Sequence, residues 1–422
     1  MSITDCGDCN VILISIDTLR ADYNNLVKVD HSLTPNLDRL TKKGIVFTQA
    51  VSASSWTLPS TMSIMTGAYP SRHKVTNKYM VSSAEEDDLE VMNLKKLSPD
   101  LVTMAEVFRS NGYQTGGFTG GAGVGHEFGF NQGFEEYFDS VNFGGFRDTI
   151  PRSLGWIDAH KQEKFFVFLH GYDVHGQYEP EGGLDYRYVP KGYSGVYTGN
   201  KDEQKDLREE GLEKGQLFLK PEDVEFWKGI YAEKVERADI ELGKFIEEYK
   251  NLGMTDKTIF VITADHGEEF MEHGRLDHGP TLYNETIKVP LIVIIPGVKP
   301  VKVSNLVSNM DIFQTLIKAA NLRKDCCPGQ FAKEANLLST GPWRLKNRNS
   351  QIFFETEYRY YVDLKGVQVG SLKLINDFLN SKNELYDLQK NPQETDNLYF
   401  EYIRKNPDKI NKLENFLSKG TI

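Results

Sequence analysis

Three short runs of branched and aromatic residues, each running out at an acid or a histidine, constrain this chain more than any other feature. They are residues 10–16 (NVILISI) before Asp17, 165–169 (FFVFL) before His170, and 258–262 (TIFVI) with Asp265 shortly after. A short apolar run without polar alternation is the pattern of a strand covered on both faces, as in a parallel sheet. A further run, 289–295 (VPLIVII), has the same character, and strands are also expected at 44–47 and 113–119. Helical signals lie between the strands. Thr34 and Pro35 read as an N-cap and first helical residue, 104–111 stop at Gly112, and 230–249 place Val235, Ala238, Leu242, Phe245 and Tyr249 on one face. The alternation predicts an α/β fold: a mostly parallel central sheet with helices on both faces.

Two segments depart from this rhythm. Residues 176–228 are rich in Tyr, Gly, Glu and Lys and lack an apolar period, which reads as a lid, a specificity insertion or a plain solvated insertion. From about residue 351 the strands become shorter and more polar (351–357, 361–364, 367–375), and a last helix is expected at 400–417. The expected division is 1–345 for the α/β domain and 346–422 for a small C-terminal α+β subdomain.

Composition narrows the function classes. A formal charge of -11 argues against a nucleic-acid binder, which would normally show a basic face. It leaves room for a small anionic substrate, because a metal supplies local positive charge. No stretch approaches the roughly 18 to 20 apolar residues of a membrane span. The polar start, with Asp5 and Asp8, lacks the pattern of a secretory leader, which predicts a cytoplasmic protein. Cys6 and Cys9 form a C-x-x-C and Cys326 and Cys327 are adjacent; they are expected as free thiols, with a four-thiolate zinc site as the alternative. Oligomeric state has no signature in the sequence.

In open α/β sheets ligands bind at the C-terminal edge of the strands, and there the polar residues collect. Asp17 ends the first run. His170, Asp173 and His175 follow the second. Asp265 and His266 follow the third within TADHG (263–267), and His273 and His278 lie just beyond, within EHGRLDHG (272–279). Five of the nine histidines fall in these segments, which is too many for chance. Aspartates, a histidine and a hydroxyl oxygen suit a divalent ion with mixed ligands, zinc or manganese before magnesium or calcium. The run GGAGVG (120–125) resembles a dinucleotide fingerprint but lacks a placed acidic partner and reads as a turn.

Five blocks in order resemble the sulfatase family of the alkaline-phosphatase superfamily: 10–22 (NVILISIDTLRAD), 34–46 (TPNLDRLTKKGIV), 55–75 (SWTLPSTMSIMTGAYPSRHKV), 265–293 (DHGEEFMEHGRLDHGPTLYNETIKVPLIV) and 384–398 (ELYDLQKNPQETDNL). The resemblance implies that fold, ester hydrolysis and a divalent metal ion. It also exposes departures. Sulfatases carry Cys or Ser, then x-Pro-Ser-Arg, and oxidise the first residue to formylglycine. Here the register falls on Thr57, Leu58, Pro59, Ser60 and Thr61, with Thr66 and Gly67 in place. Thr57 cannot become an aldehyde by that route, because its carbinol carbon bears a methyl group. Threonine at this position is similar to the superfamily's phosphodiesterases and phosphotransferases, which form a covalent phospho-threonine. Thr18 stands where a second aspartate often follows the first, and His278 where a lysine is expected.

The expected assignment follows. Asp17, Thr57, Asp265 and His266 hold a metal. Thr57 is the nucleophile, and His175 and His278 bind the anion or protonate the leaving group. Asp173, His175 and His278 are a candidate second metal or anion site, and Arg20 and His273 are candidate substrate contacts. The favoured activity is hydrolysis of a phosphate mono- or diester. The alternatives are a sulfuric ester hydrolase without formylglycine, a phosphotransferase, or a non-catalytic metal-binding homologue.

Overall fold

The structure is a computed structural model that describes residues 6–76, 79–80, 91–92, 96–176, 183–323, 337, 351–359 and 361–420. The apolar runs become the centre of one eight-stranded sheet. Its strands in chain order are β1 (Asn10–Ile16), β2 (Ile45–Val51), β3 (Gln114–Phe118), β4 (Glu136–Phe138), β5 (Phe165–Gly171), β6 (Thr258–Thr263), β7 (Leu291–Ile294) and β8 (Val301–Ser308), arranged β8-β2-β7-β6-β1-β5-β3-β4. β1 pairs in parallel with β5 and β6, and every residue of these three strands is buried. The expected mostly parallel sheet is therefore present. β7 is the exception, antiparallel to both β6 and β2; a run buried on both faces does not encode its direction.

Helices flank the sheet. α1 (Pro35–Thr41) starts at Pro35, but Thr34 makes no side-chain cap. α2 (Thr57–Thr66) is buried along its whole length and ends at Gly67 in the left-handed conformation. α3 (Met104–Ser110) is capped reciprocally by Thr103 and Glu106. α4 (Phe146–Ala159) packs on β5 and on the long α6 (Pro221–Asn251), and α1 also packs on α6. The amphipathic stripe expected from residue 230 thus begins nine residues earlier, at a Pro at N1 followed by Glu222 and Asp223.

The insertion is not an irregular loop in its described part. It contains α5 (Lys201–Lys214), capped by Asn200, whose buried residues are Gln204, Leu207, Gly211 and Leu212. Only two of those four are apolar side chains, so the period was invisible in the sequence.

Beyond the main sheet, β9 (Gln351–Tyr358), β10 (Val362–Val369), β11 (Leu372–Asp377) and β12 (Lys382–Asp387) form an antiparallel meander. The fourth strand was not anticipated. The expected last helix is two helices, α7 (Tyr399–Lys405) and α8 (Pro407–Gly420), because Pro407 cannot continue α7. The expected boundary at 345/346 lies outside the described residues.

Cys6 and Cys9 are joined as a disulfide, their Cα atoms 5.3 Å apart across the C-x-x-C turn, which corrects the free-thiol expectation for this pair. Cys326 and Cys327 lie outside the described residues. Among the described residues no helix is long and apolar enough to cross a membrane.

Candidate active site around Thr57

Parallel strands deliver their C-terminal ends to one edge, and here the polar residues meet. Asp17 follows β1, His170 lies near the end of β5, and Asp265 and His266 follow β6. The helix α2 starts at this edge and presents Thr57. Thr57 Oγ1 lies 3.1 Å from Asp17 Oδ2 and 3.3 Å from His266 Nε2. All four expected metal-site residues are therefore gathered, each buried.

Their surroundings hold them still. Asp265 Oδ1 accepts hydrogen bonds from the backbone N–H of Thr18 and His266, and its carbonyl accepts from Ser60 Oγ and Asn309 Nδ2. Thr61, where the family pattern has arginine, reaches Asp265 Oδ2 at 3.5 Å. Thr18 adopts φ 56°, and Tyr231 on α6 pins that turn by donating to Thr18 O and accepting from Arg20 N. A non-glycine residue in the left-handed region needs such support.

The donor set fits a divalent cation. Asp17, Asp265 and His266 each offer a ligand atom, all within 4.8 Å of one another. Asp17 Oδ1 is buried with no hydrogen-bond partner among the described residues. Such an acceptor costs about 1–3 kcal/mol unless something meets it. Burial, with Asp265 alongside, raises the Asp17 carboxyl well above the usual carboxylate range, and burial pushes His266 and His170 down to about 4. Two carboxylates beside a neutral imidazole are ligands suited to a divalent ion.

His170 was singled out by its position but given no role. It reaches Asp17 Oδ2 at 3.3 Å through Nε2. The structure supplies the reason: Ser15 and His170 are register partners in neighbouring strands, which sets His170 beside the end of β1.

His278 and His175 lie together, ring centroids 5.0 Å apart, with His278 4.4 Å from His266. Of the expected trio, Asp173 makes a different contact. Asp173 Oδ2 accepts from the backbone N–H of Phe146, and the carboxylates facing His278 are Glu268 and Asp277, 3.1 and 2.7 Å from Nδ1. Burial works against a charged His278, but Asp277 and Glu268 overcome it and raise its pKa well above the usual value. His175 goes the other way, pushed well below by burial and by His278. Asp277 reaches His278 with φ 93°, and Arg208 of α5 approaches its other oxygen at 3.6 Å. Arg208 was missed because it is far from Asp277 in sequence, and Asp277, although next to His278, reaches that ring only through a left-handed backbone conformation.

Two expected substrate contacts are placed elsewhere. Arg20 is buried in ion pairs with Asp22 and Glu272. His273 is paired with Glu285 and stacked on Tyr283. The glycine-rich turn instead belongs to the site: Gly123 packs so closely on Thr57 that a Cβ would sit 3.3 Å from the threonine Cβ, and its N–H donates to Tyr172.

The sequence profile described as "Sulfatase" matches residues 9–322, about three-quarters of the chain. The chain belongs to the sulfatase family. A second profile, "N-sulphoglucosamine sulphohydrolase, C-terminal", matches residues 271–419. A sulfatase of Formosa agariphila is 25% identical over 369 residues, covering 74% of this chain and 69% of the relative. Human arylsulfatase A is 26% identical over 382 residues, covering 83% and 71%. A match to bovine arylsulfatase K, 34% over 96 residues, covers 22% of this chain and 18% of that protein.

Solved structures share the fold. A protein in complex with its substrate D-glucosamine-2-N,6-O-disulfate superposes with TM-score 0.73 at 18% identity, covering 98% of both chains. The phosphonate monoester hydrolase of Agrobacterium radiobacter does so with TM-score 0.73 at 18% identity, covering 98% and 96%. The chain is accordingly an ester-bond hydrolase by family, and members of that family generally use a divalent metal ion.

Proposed function

We propose that this sulfatase-family hydrolase cleaves a phosphate mono- or diester through Thr57. The observation that carries the reading is Thr57 Oγ1 at the start of a buried helix, within hydrogen-bond reach of both Asp17 and His266. Asp17, Asp265, His266 and Thr57 would hold the divalent ion, zinc or manganese by donor type. When bound, it supplies positive charge that makes the threonine hydroxyl acidic and offsets charge on the transferring group.

The chain's own groups do the rest. Thr57 donates its hydrogen bond to Asp17 Oδ2, so a proton acceptor is already aligned when Oγ1 attacks phosphorus. The P–O bond to the leaving group breaks as the Thr57 Oγ–P bond forms. His278, held charged between Glu268 and Asp277, binds the anion and gives a proton to the departing oxygen. His175 spends Nδ1–H on Gly176 O, which leaves Nε2 as an acceptor, so it orients rather than protonates. Water then displaces Thr57 from phosphorus. Buried α2 brings the positive end of its dipole to the same place.

A second reading, hydrolysis of a sulfuric ester by unmodified Thr57, is supported by the profile match and the arylsulfatase relatives. The test compares p-nitrophenyl phosphate, bis-p-nitrophenyl phosphate and p-nitrophenyl sulfate, each with zinc, manganese, magnesium, calcium or chelator. A phosphate substrate is expected to lead, with loss of turnover in Thr57→Ala; a lead for sulfate selects the second reading. Transfer to an added alcohol instead of water would show as phosphorylated alcohol in the product. The Cys6–Cys9 bridge favours an oxidising compartment over the cytoplasmic location expected from the sequence, since disulfides persist mainly there.

A further inference from the structure

The proposed reaction gives no task to His170, although its side chain is fully buried beside Asp17. Sheet register sets it there. β1 and β5 run in parallel with Ser15 opposite His170 and Ile16 opposite Gly171, so the C-terminal ends of the two strands stay level. The pairing continues one residue past β1, where the backbone N–H of Asp17 donates to Gly171 O. Tyr172 braces the imidazole edge to face, with ring centroids 4.6 Å apart. The same tyrosine holds the glycine turn that packs on Thr57: its hydroxyl accepts from Gly123 N–H and donates to Gly121 O.

The two oxygens of Asp17 are used unequally. Oδ2 faces both Thr57 Oγ1 at 3.1 Å and His170 Nε2 at 3.3 Å. Oδ1 is buried with no hydrogen-bond partner among the described residues, and is therefore the atom left for the ion. His170 stands outside the ligand set, since the atoms that lie within 4.8 Å of one another come from Asp17, Asp265 and His266. Its other nitrogen, Nδ1, is buried and also has no partner among the described residues. A neutral imidazole carries one N–H, and the contact made by one nitrogen sets the state of the other. A proton on Nδ1 would bury an unmet donor and turn the Nε2 lone pair toward a carboxylate oxygen. A proton on Nε2 avoids both and leaves only a lone pair buried at Nδ1.

We infer that His170 is a positioning residue of the Thr57 site: as the Nε2–H tautomer it donates to Asp17 Oδ2, which keeps that oxygen beside Thr57 and leaves Oδ1 for the ion. This role rests on the ion-site part of the Thr57 reading and is independent of which ester is cleaved. A hydrogen bond to a ligating carboxylate fixes its orientation, and losing such a partner weakens the metal rather than the fold.

Two measurements on the full chain test it. In protein carrying nitrogen-labelled histidine, the His170 resonance, assigned by its absence from His170→Gln, is expected to show a protonated Nε2; a protonated Nδ1 overturns the inference. Zinc is then titrated into each variant in competition with a chromophoric chelator, and the site is taken as the binding that Asp265→Ala removes. His170→Gln, whose amide reaches about as far as Nε2, is expected to keep the wild-type affinity. His170→Asn, one bond shorter, and His170→Leu are expected to weaken it by about 10–100-fold. A merely structural His170 would lower the melting temperature of the metal-free variants and leave zinc affinity unchanged, and that result overturns the positioning role. Equal losses in His170→Gln and His170→Leu would make the imidazole itself a ligand, which overturns it too. A wild type without Asp265-dependent zinc binding overturns the ion site and the positioning role together. A Thr57→Ala variant that still turns over ester while the His170 pattern holds would overturn the nucleophile and leave the positioning role standing.

Discussion

Two buried clusters of the same residue types lie a few residues apart in sequence, and the contrast between them separates chemistry from architecture. Around Thr57, two aspartates and His266 converge, and Asp17 Oδ1 has no partner among the described residues. Around His273, carboxylates and a histidine also converge, but they are engaged. His273 pairs with Glu285 through Nδ1, meets Glu394 O through Nε2 and stacks on Tyr283. Glu394 in turn accepts from Asn284 N–H and pairs with Lys373 of β11 at 2.6 Å, with both side chains fully buried. The first cluster has an acceptor to offer a ligand. The second ties the C-terminal meander to the α/β domain. Both clusters join carboxylates to a histidine; what differs is that Glu394 Oε1 meets the Lys373 ammonium at 2.6 Å, whereas Asp17 Oδ1 has nothing nearer than His266 Nε2 at 4.0 Å among the ion pairs of the described residues.

Four measurements would break or sharpen that contrast. The largest effect is expected from Thr57→Ala, which should cost at least about 10⁴-fold in kcat, the scale of a lost nucleophile, while the melting temperature barely moves. If turnover survives, Thr57 is not the nucleophile. Next, Lys373→Met leaves Glu394 buried and unpaired, and chemical denaturation should show about 3–5 kcal/mol lost. At a temperature where this variant is folded its kcat/KM should stay within about twofold, as for a distant site; a collapse would mean that the two clusters are coupled.

Chelation should lower the melting temperature of the wild type by an amount corresponding to about 2.7 kcal/mol if the metal had been present at a hundred times its Kd. The drop should vanish in Asp265→Ala and persist in Lys373→Met. A drop of equal size in Asp265→Ala would place the ion elsewhere. The smallest effect concerns pH. Burial opposes a charged His273, but Glu285 and Glu269 raise it to about 9, above its ordinary 6.5. A group whose pKa rises on folding contributes fully below its unfolded value and loses the contribution as pH climbs through the folded one. Glu269, raised by burial and by Glu285 from its ordinary 4.5 to about 8, pushes stability down as pH climbs between those two values. The wild type's advantage over His273→Gln should therefore be greatest near pH 6 and fade by about pH 9.5. An advantage that grows with pH would contradict the pairing with Glu285.

Much of the central architecture was legible because it depends on local pattern. The runs ending at Asp17, His170 and Asp265 are strands, and their shared edge follows from parallel packing. Less local features were not. Helix α5 was hidden because Gln204 and Gly211 occupy half of its buried face, and β7 concealed its direction because a run buried on both faces looks the same either way round. The partners of His273 and Arg20 were not legible for a related reason: their neighbours in sequence include candidate site residues, while their side chains pair with Glu285 and with Asp22 and Glu272.

The sequence by itself determined which apolar runs end in acids or histidines, and that a threonine stands at position 57. These depend on residue identity and on periodicity, which a chain carries without folding. Only the tertiary structure decided that Glu268 and Asp277, not Asp173, face His278, and that His273 belongs to a structural tie. It also set His170 against Asp17. Which polar atoms are satisfied depends on contacts between residues far apart in the chain, such as Arg208 with Asp277 and Lys373 with Glu394. No local pattern records those distances.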